Sequence, residues 1–189
     1  MTVATTGHRR SIRIPGYDYS RYGTYFVTIC TNNRTSLFGE IIKPVGAGPC
    51  ARPEMKLNAA GQMIQGVWNV LPVQYDGIEI DAFVVMPNHV HDILVIKRRI
   101  LDGGRARGPA PTGLTLPDVL QRFKSMTTKK YIDGIKQSGW TRFDGKLWQR
   151  GYYEHIIRGK ESLRHIQKYI NDNPERWEQD RNNPAVVPS

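Results

Sequence analysis

The run Ile78-Glu79-Ile80-Asp81-Ala82-Phe83-Val84-Val85-Met86, then Pro87-Asn88, then His89-Val90-His91-Asp92-Ile93-Leu94-Val95-Ile96, decides how this chain is read. Two dense runs of β-branched and aromatic residues around a Pro-Asn turn predict a β-hairpin. Val84, Val85, Ile93, Val95 and Ile96 predict that the pair is central in its sheet. Upstream, Tyr25-Phe26-Val27-Thr28-Ile29-Cys30-Thr31 reads as another strand, and residues 43–56 (KPVGAGPCARPEMK) as a Gly/Pro loop. A helix is expected from Asn58, whose side chain can cap it, through Leu71 with Pro72 just beyond; Met63, Ile64, Val67 and Leu71 recur at helical spacing. Downstream, residues 97–116 are loop-like, and Pro117-Asp118 opens a second helix carrying Val119, Leu120, Phe123 and Met126. Tyr152 to Ile157 forms a last strand, followed by a helix from Lys160 to Asp172 that Pro174 stops. The order β-α-β-β-α-β-α predicts an α+β fold: a ferredoxin-like antiparallel sheet with helices on one face plus a C-terminal helix. Residues 1–16 read as a basic arm, 17–178 as one domain and 179–189 as a polar tail, frayed after Asp180.

Composition narrows the classes of function. The 189 residues carry 27 Lys and Arg against 17 Asp and Glu, a formal net charge of +10, and the pI is near 9.8. That balance favours a polyanionic partner, because clustered cations gain affinity for phosphates by releasing counterions. No stretch approaches the ~18 apolar residues of a membrane span, and the first residues lack the apolar run of a secretory signal. Cys30 and Cys50 show no CxxC spacing, which disfavours a disulfide scaffold or a cysteine-built zinc site. A cytoplasmic protein is expected.

His89-Val90-His91 is the most informative tripeptide. The strand period of two sends both imidazoles to one face and Val90 to the other, so the pair can share one divalent ion. The plainer alternative is two polar side chains on a wet strand face. In the last helix, Leu163, Ile166 and Ile170 form the docking stripe, and Tyr169 and Asn173, four apart, sit on one edge of it.

Three blocks together carry a resemblance. Met86-Pro87-Asn88-His89-Val90-His91 resembles the His-hydrophobic-His motif of the HUH single-strand nuclease superfamily. With Trp148-Gln149-Arg150-Gly151-Tyr152-Tyr153-Glu154-His155-Ile156-Ile157-Arg158, and Tyr169-Ile170 followed by Asn173-Pro174 and Trp177, the chain is similar to the REP-associated tyrosine transposases from about Gly16 to Trp177. The resemblance implies a DNA transposase or endonuclease with Tyr169 as nucleophile. His89, His91 and Asn173 would hold Mg²⁺ or Mn²⁺, with imidazole and carboxamide ligands suiting Mn²⁺. The expected product is a 5′-phosphotyrosine linkage and a free 3′ hydroxyl able to rejoin strands. The implied partner is single-stranded DNA at hairpin or palindromic repeats, in a bacterial, nucleoid-associated setting, with monomer and homodimer both open. Candidates to track phosphates are Arg9, Arg10, Arg13, Arg98, Arg99, Arg105, Arg107, Arg122 and Lys124; Phe143, Trp148 and Tyr152 are candidates to stack on unpaired bases. Tyr153, on one strand face with His155, is the alternative nucleophile. Glu154 and His155 recur in the family block without an assigned role. A non-catalytic single-stranded nucleic-acid-binding module on the same sheet is the alternative function, and a metal phosphodiesterase using activated water is a third.

Overall fold

The computed structural model describes residues 22–43, 52–97 and 114–186. The expected arm at 1–16, with Arg9, Arg10 and Arg13, and the loop cations Arg98, Arg99, Arg105 and Arg107 lie outside the described residues. The elements are β1 (Gly23–Cys30), β2 (Gly39–Ile42), β3 (Glu54–Leu57), α1 (Ala59–Gln74), β4 (Ile78–Val85), β5 (His89–Ile96), α2 (Leu116–Ser138), β6 (Tyr153–Ile157) and α3 (Lys160–Asn171); a 3₁₀ turn (Pro174–Gln179) follows α3. Strands β4-β5-β1-β6 form an antiparallel sheet in that order, and β2 and β3 pair in a separate small ribbon. The architecture is α+β. No helix among the described residues is long and apolar enough to cross a membrane.

The two faces of the sheet carry different layers. Tyr25, Val27 and Ile29 of β1 and Val90 and Leu94 of β5 point into the main core, with Ile64, Trp68 and Leu71 of α1 and Val119, Leu120 and Phe123 of α2. Phe26, Ile93 and Ile157 point the other way and meet Ile170, Leu163 and Ile166 of α3. Burial on both faces explains why β1 and β5 are nearly continuous apolar runs rather than alternating ones. A bulge between Ile80 and Phe83 in β4 shifts the alternation, so Ile78, Ile80, Phe83 and Val85 share the main core while Ala82 and Val84 turn toward α3.

The structure corrects several expectations. β5 and β1 are central, and β4 lies at an edge, so the hairpin is not wholly interior. Residues 54–57 are strand rather than loop: Met55 and Leu57 turn inward between exposed Glu54 and Lys56. The ribbon is tight, since a Cβ on Gly39 (φ +141) would lie 2.2 Å from the Lys56 carbonyl oxygen. Asn58 caps α1 as expected, accepting from the Gly61 N–H at 2.9 Å, but the helix runs through Pro72 to Gln74. Pro72 removes only its own N–H there, and the Tyr75 N–H still closes onto the Leu71 carbonyl at 3.0 Å. α2 begins at Leu116, where Thr115 and Asp118 form a reciprocal cap.

Asp92 is buried on the main-core face of β5. Its Oδ1 accepts from the Trp68 Nε1–H at 3.0 Å, and its Oδ2 has no hydrogen-bond partner. Burial pushes this carboxyl well above the usual carboxylate range. A raised folded-state pKa means the native state keeps a proton that the unfolded chain releases near pH ~3.9, so stability falls as pH rises above that value. Asp92→Asn keeps an acceptor for Trp68 and removes the titration. It is expected to raise Tm at pH 7 by about 2–4 °C, with the gain shrinking toward pH 4; melts across this range check it.

Candidate active site

The residue pair that opens β5 sits on the α3 face of the sheet. The register pairs Cys30 with His89 and Thr28 with His91, so both imidazoles lie over the central strands. Both are buried. Asn88, in the turn before β5, fixes the first ring. Its amide nitrogen donates to the Arg34 and Asn182 carbonyls, each at 2.8 Å, which leaves its Oδ1 facing His89 Nδ1 at 2.8 Å. His89 therefore carries its proton on Nδ1 and leaves Nε2 bare. Thr28 Oγ1 holds His91 Nδ1 at 2.8 Å, and the two Nε2 atoms converge to 3.0 Å.

α3 brings the phenol to this pair. Its apolar stripe docks Tyr169 against Phe26, edge-on with centroids 5.9 Å apart, and places the hydroxyl 3.4 Å from His91 Nε2. Asn173 keeps α-helical angles (φ −60°, ψ −40°) although a proline follows, so the four-residue relation to Tyr169 survives past the end of α3. Asn173 is buried, and its Oδ1 has no hydrogen-bond partner. Tyr169, His89, His91 and Asn173 thus come together from two distant segments.

One buried acid completes the pocket and was missed in the sequence. Asp180 lies in the stretch read as a polar tail and Asn182 in the part read as frayed, yet both are buried. The chain is held there by the Asn88 bond to the Asn182 carbonyl, and Asp180 Oδ1 accepts from the Asn182 N–H at 2.7 Å. Asp180 Oδ2 has no hydrogen-bond partner and lies 3.7 Å from His89 Nε2. The one cue in the sequence was Asp180-Arg181-Asn182, an Asx-turn pattern in which a short acid bonds its own backbone two residues on. Among the described residues, His89, His91 and Asp180 each offer a ligand atom within 4.8 Å of the others. The two imidazole Nε2 atoms and the orphaned oxygens of Asp180 and Asn173 form a donor set that fits a divalent cation. The resemblance implies Asn173 as the third ligand; the carboxylate of Asp180 is the charged oxygen donor beside the pair.

Electrostatics set resting protonation. Burial pushes His89 down to about 4, against the opposing pull of Asp180, and burial together with its neighbour His89 pushes His91 well below the usual range. Burial, then Asp180, raises the Tyr169 phenol, while Asn173, Arg181 and Arg176 oppose the shift. In the unfolded chain histidine takes a proton near pH ~6.5, so the unfolded state binds more protons between there and about pH 4. Stability of the metal-free protein is therefore expected to fall as pH drops through that window. The double variant His89→Gln/His91→Gln should lose most of this acid slope in urea melts compared at pH 7 and pH 5; an unchanged slope would contradict a buried neutral pair.

The remaining site candidates are placed elsewhere. Trp148 is not available to stack on a base: it is 5% exposed, its Nε1–H donates to Thr127 Oγ1 at 2.9 Å, and it packs on Phe38 and Phe123 in the main core. Lys124 donates from its ammonium to the Gln149 and Gly151 carbonyls at 2.9 and 2.8 Å, bonds that tie α2 to the segment before β6, and burial lowers it to about 8. Arg122 lies over the Tyr75 ring at 4.8 Å, on α2 and away from the histidines. Phe143 and Tyr152 pack against the main core. Glu154 pairs with Val27 on the main-core side, whereas His155 pairs with Phe26 on the site face.

No family model matches the sequence. An uncharacterized protein of Haemophilus influenzae is 36% identical over 179 residues, with 92% of each chain covered. A solved structure of a REP-associated tyrosine transposase bound to a REP hairpin superposes with a TM-score of 0.51 at 22% identity, covering 84% of this chain and 72% of that one.

Proposed function

We propose, on the premise that this chain belongs to the family of the Haemophilus influenzae protein and has the fold of the REP-associated tyrosine transposase, that it cleaves and rejoins single-stranded DNA through Tyr169. The observation that carries this reading is the convergence of the half-buried Tyr169 hydroxyl on two buried histidine Nε2 atoms and the buried Asp180 carboxylate. The partner proposed is DNA that forms hairpins, the class bound by that solved structure.

The chain's own residues divide the work. Tyr169 Oη attacks the scissile phosphorus, the P–O3′ bond breaks, and the DNA leaves with a 3′ hydroxyl and a 5′ phosphate esterified to Tyr169. The reverse attack by a 3′ hydroxyl on the same ester rejoins strands with no outside energy source. The phenol is protonated at rest, and the Arg176 and Arg181 guanidiniums favour its ionised form as the attack proceeds. Asn88 and Thr28 hold the two imidazoles by Nδ1, which leaves their Nε2 atoms 3.0 Å apart with that of His91 3.4 Å from the Tyr169 hydroxyl. A divalent ion bound by His89, His91 and Asp180, with Asn173 beside them, would supply Lewis-acid polarisation of a non-bridging phosphate oxygen. Tyr169 meets His91 of its own chain, which supports a centre complete within one copy.

Labelled hairpin DNA incubated with the protein and Mn²⁺, with and without EDTA, and run on a denaturing gel tests this. A shifted protein–DNA band that EDTA abolishes is expected. Cleavage without a shifted band would indicate activated water, and binding that leaves the DNA intact would indicate a non-catalytic module.

A further inference from the structure

α3 packs on β4 and β5. Beyond it, on the same face of the sheet, the register sets His91, Thr28 and Tyr153 in one row across β5, β1 and β6. Adjacent strands lie about 4.8 Å apart, so the backbone at Tyr153 is about 10 Å from that at His91, on the order of one nucleotide's reach. Tyr153 is 38% exposed. The Phe26 ring stands between the two tyrosines, edge-on to Tyr153 at 6.1 Å and to Tyr169 at 5.9 Å. The Arg181 guanidinium lies 5.7 Å from the Tyr153 ring centroid, and the exposed side chain of Arg34 donates to the Arg181 carbonyl at 3.1 Å. A wet aromatic ring with a cation over it, beside the half-buried Tyr169 hydroxyl, has the chemistry that holds an unpaired nucleobase and its phosphate. A purely apolar patch or a purely basic one would not carry this reading.

We propose that Tyr153 and Arg181 hold the nucleotide adjoining the scissile phosphate: the base stacks on the Tyr153 ring and Arg181 binds the neighbouring phosphate. This rests on the proposed function, since the nucleotide is that of a single strand passing Tyr169. The Tyr153 hydroxyl takes no part in it. Stacking tolerates any base, so the contact fixes the path of the strand rather than its sequence.

The experiment measures fluorescence anisotropy of a fluorescein-labelled twelve-residue oligothymidylate in EDTA, in a Tyr169→Phe background so that no strand is cut. Tyr153→Ala is expected to weaken binding about tenfold, while Tyr153→Phe and Tyr153→Trp stay within about twofold of the parent. Arg181→Ala is expected to weaken binding and reduce the slope of log K against log salt by about one. Binding by Tyr153→Ala as tight as the parent's overturns the proposal. So does a Tyr153→Trp variant that binds no better than Tyr153→Ala, or a parent that does not hold the oligonucleotide. Adduct formation by the protein with Tyr169 intact is read separately on a denaturing gel, so the platform and the nucleophile can fail independently.

Discussion

Tyr169→Phe is expected to form no covalent adduct with hairpin DNA while still binding it. The substitution removes one oxygen from a ring held by packing: Phe26 lies edge-on at 5.9 Å and the His91 ring at 5.2 Å, and both contacts survive in phenylalanine. What disappears is the hydroxyl 3.4 Å from His91 Nε2. No other hydroxyl is recorded at hydrogen-bond distance from either Nε2 atom among the described residues. Loss of a nucleophile with no substitute lowers the rate by at least about 10⁴-fold, which on a gel is disappearance of the shifted band. An undiminished adduct in this variant would move the attacking group to Tyr153.

Loss of the histidine pair is expected to have the next largest effect. His89→Ala or His91→Ala should each lower Mn²⁺ affinity by at least about 100-fold, more than the 10- to 100-fold seen when a residue that merely orients a ligand is lost. Asp180→Ala is expected to weaken Mn²⁺ binding more than Asn173→Ala, because a carboxylate adds charge where a carboxamide adds only a dipole. Calorimetric titration of the metal-free protein measures all four without reference to DNA. Unchanged affinity in both histidine variants would remove the metal from the account. The reverse order for Asp180 and Asn173 would return the third ligand to the helix edge.

The parts of this fold legible in the sequence are those whose pattern is local. The hairpin of β4 and β5 follows from β-branched runs about a Pro-Asn turn, and the α1 cap follows from Asn58. The placing of Tyr169 and Asn173 on one helix edge follows from helical spacing, which extends this far because Asn173 keeps α-helical angles before Pro174. The parts that were not legible depend on tertiary partners. Asp180 sits in a polar segment with no periodicity, and what buries it is the Asn88 side chain, which accepts from His89 and reaches the Asn182 carbonyl. Trp148 reads as an aromatic among cations, yet Thr127 and Phe123 of α2 claim it for the core. The short strand at Glu54–Leu57 was hidden by the Gly and Pro before it, since its pairing is set by β2 rather than by its own length.

Mass spectrometry of the protein–DNA adduct is the most direct measurement. Wild-type protein is incubated with hairpin DNA and Mn²⁺, the adduct is digested with nuclease and trypsin, and the peptide bearing the residual nucleotide is sequenced. The account predicts a nucleotide linked through a 5′ phosphate to Tyr169. A nucleotide mapped to any other residue, or DNA cut with no nucleotide left on the protein, would contradict it.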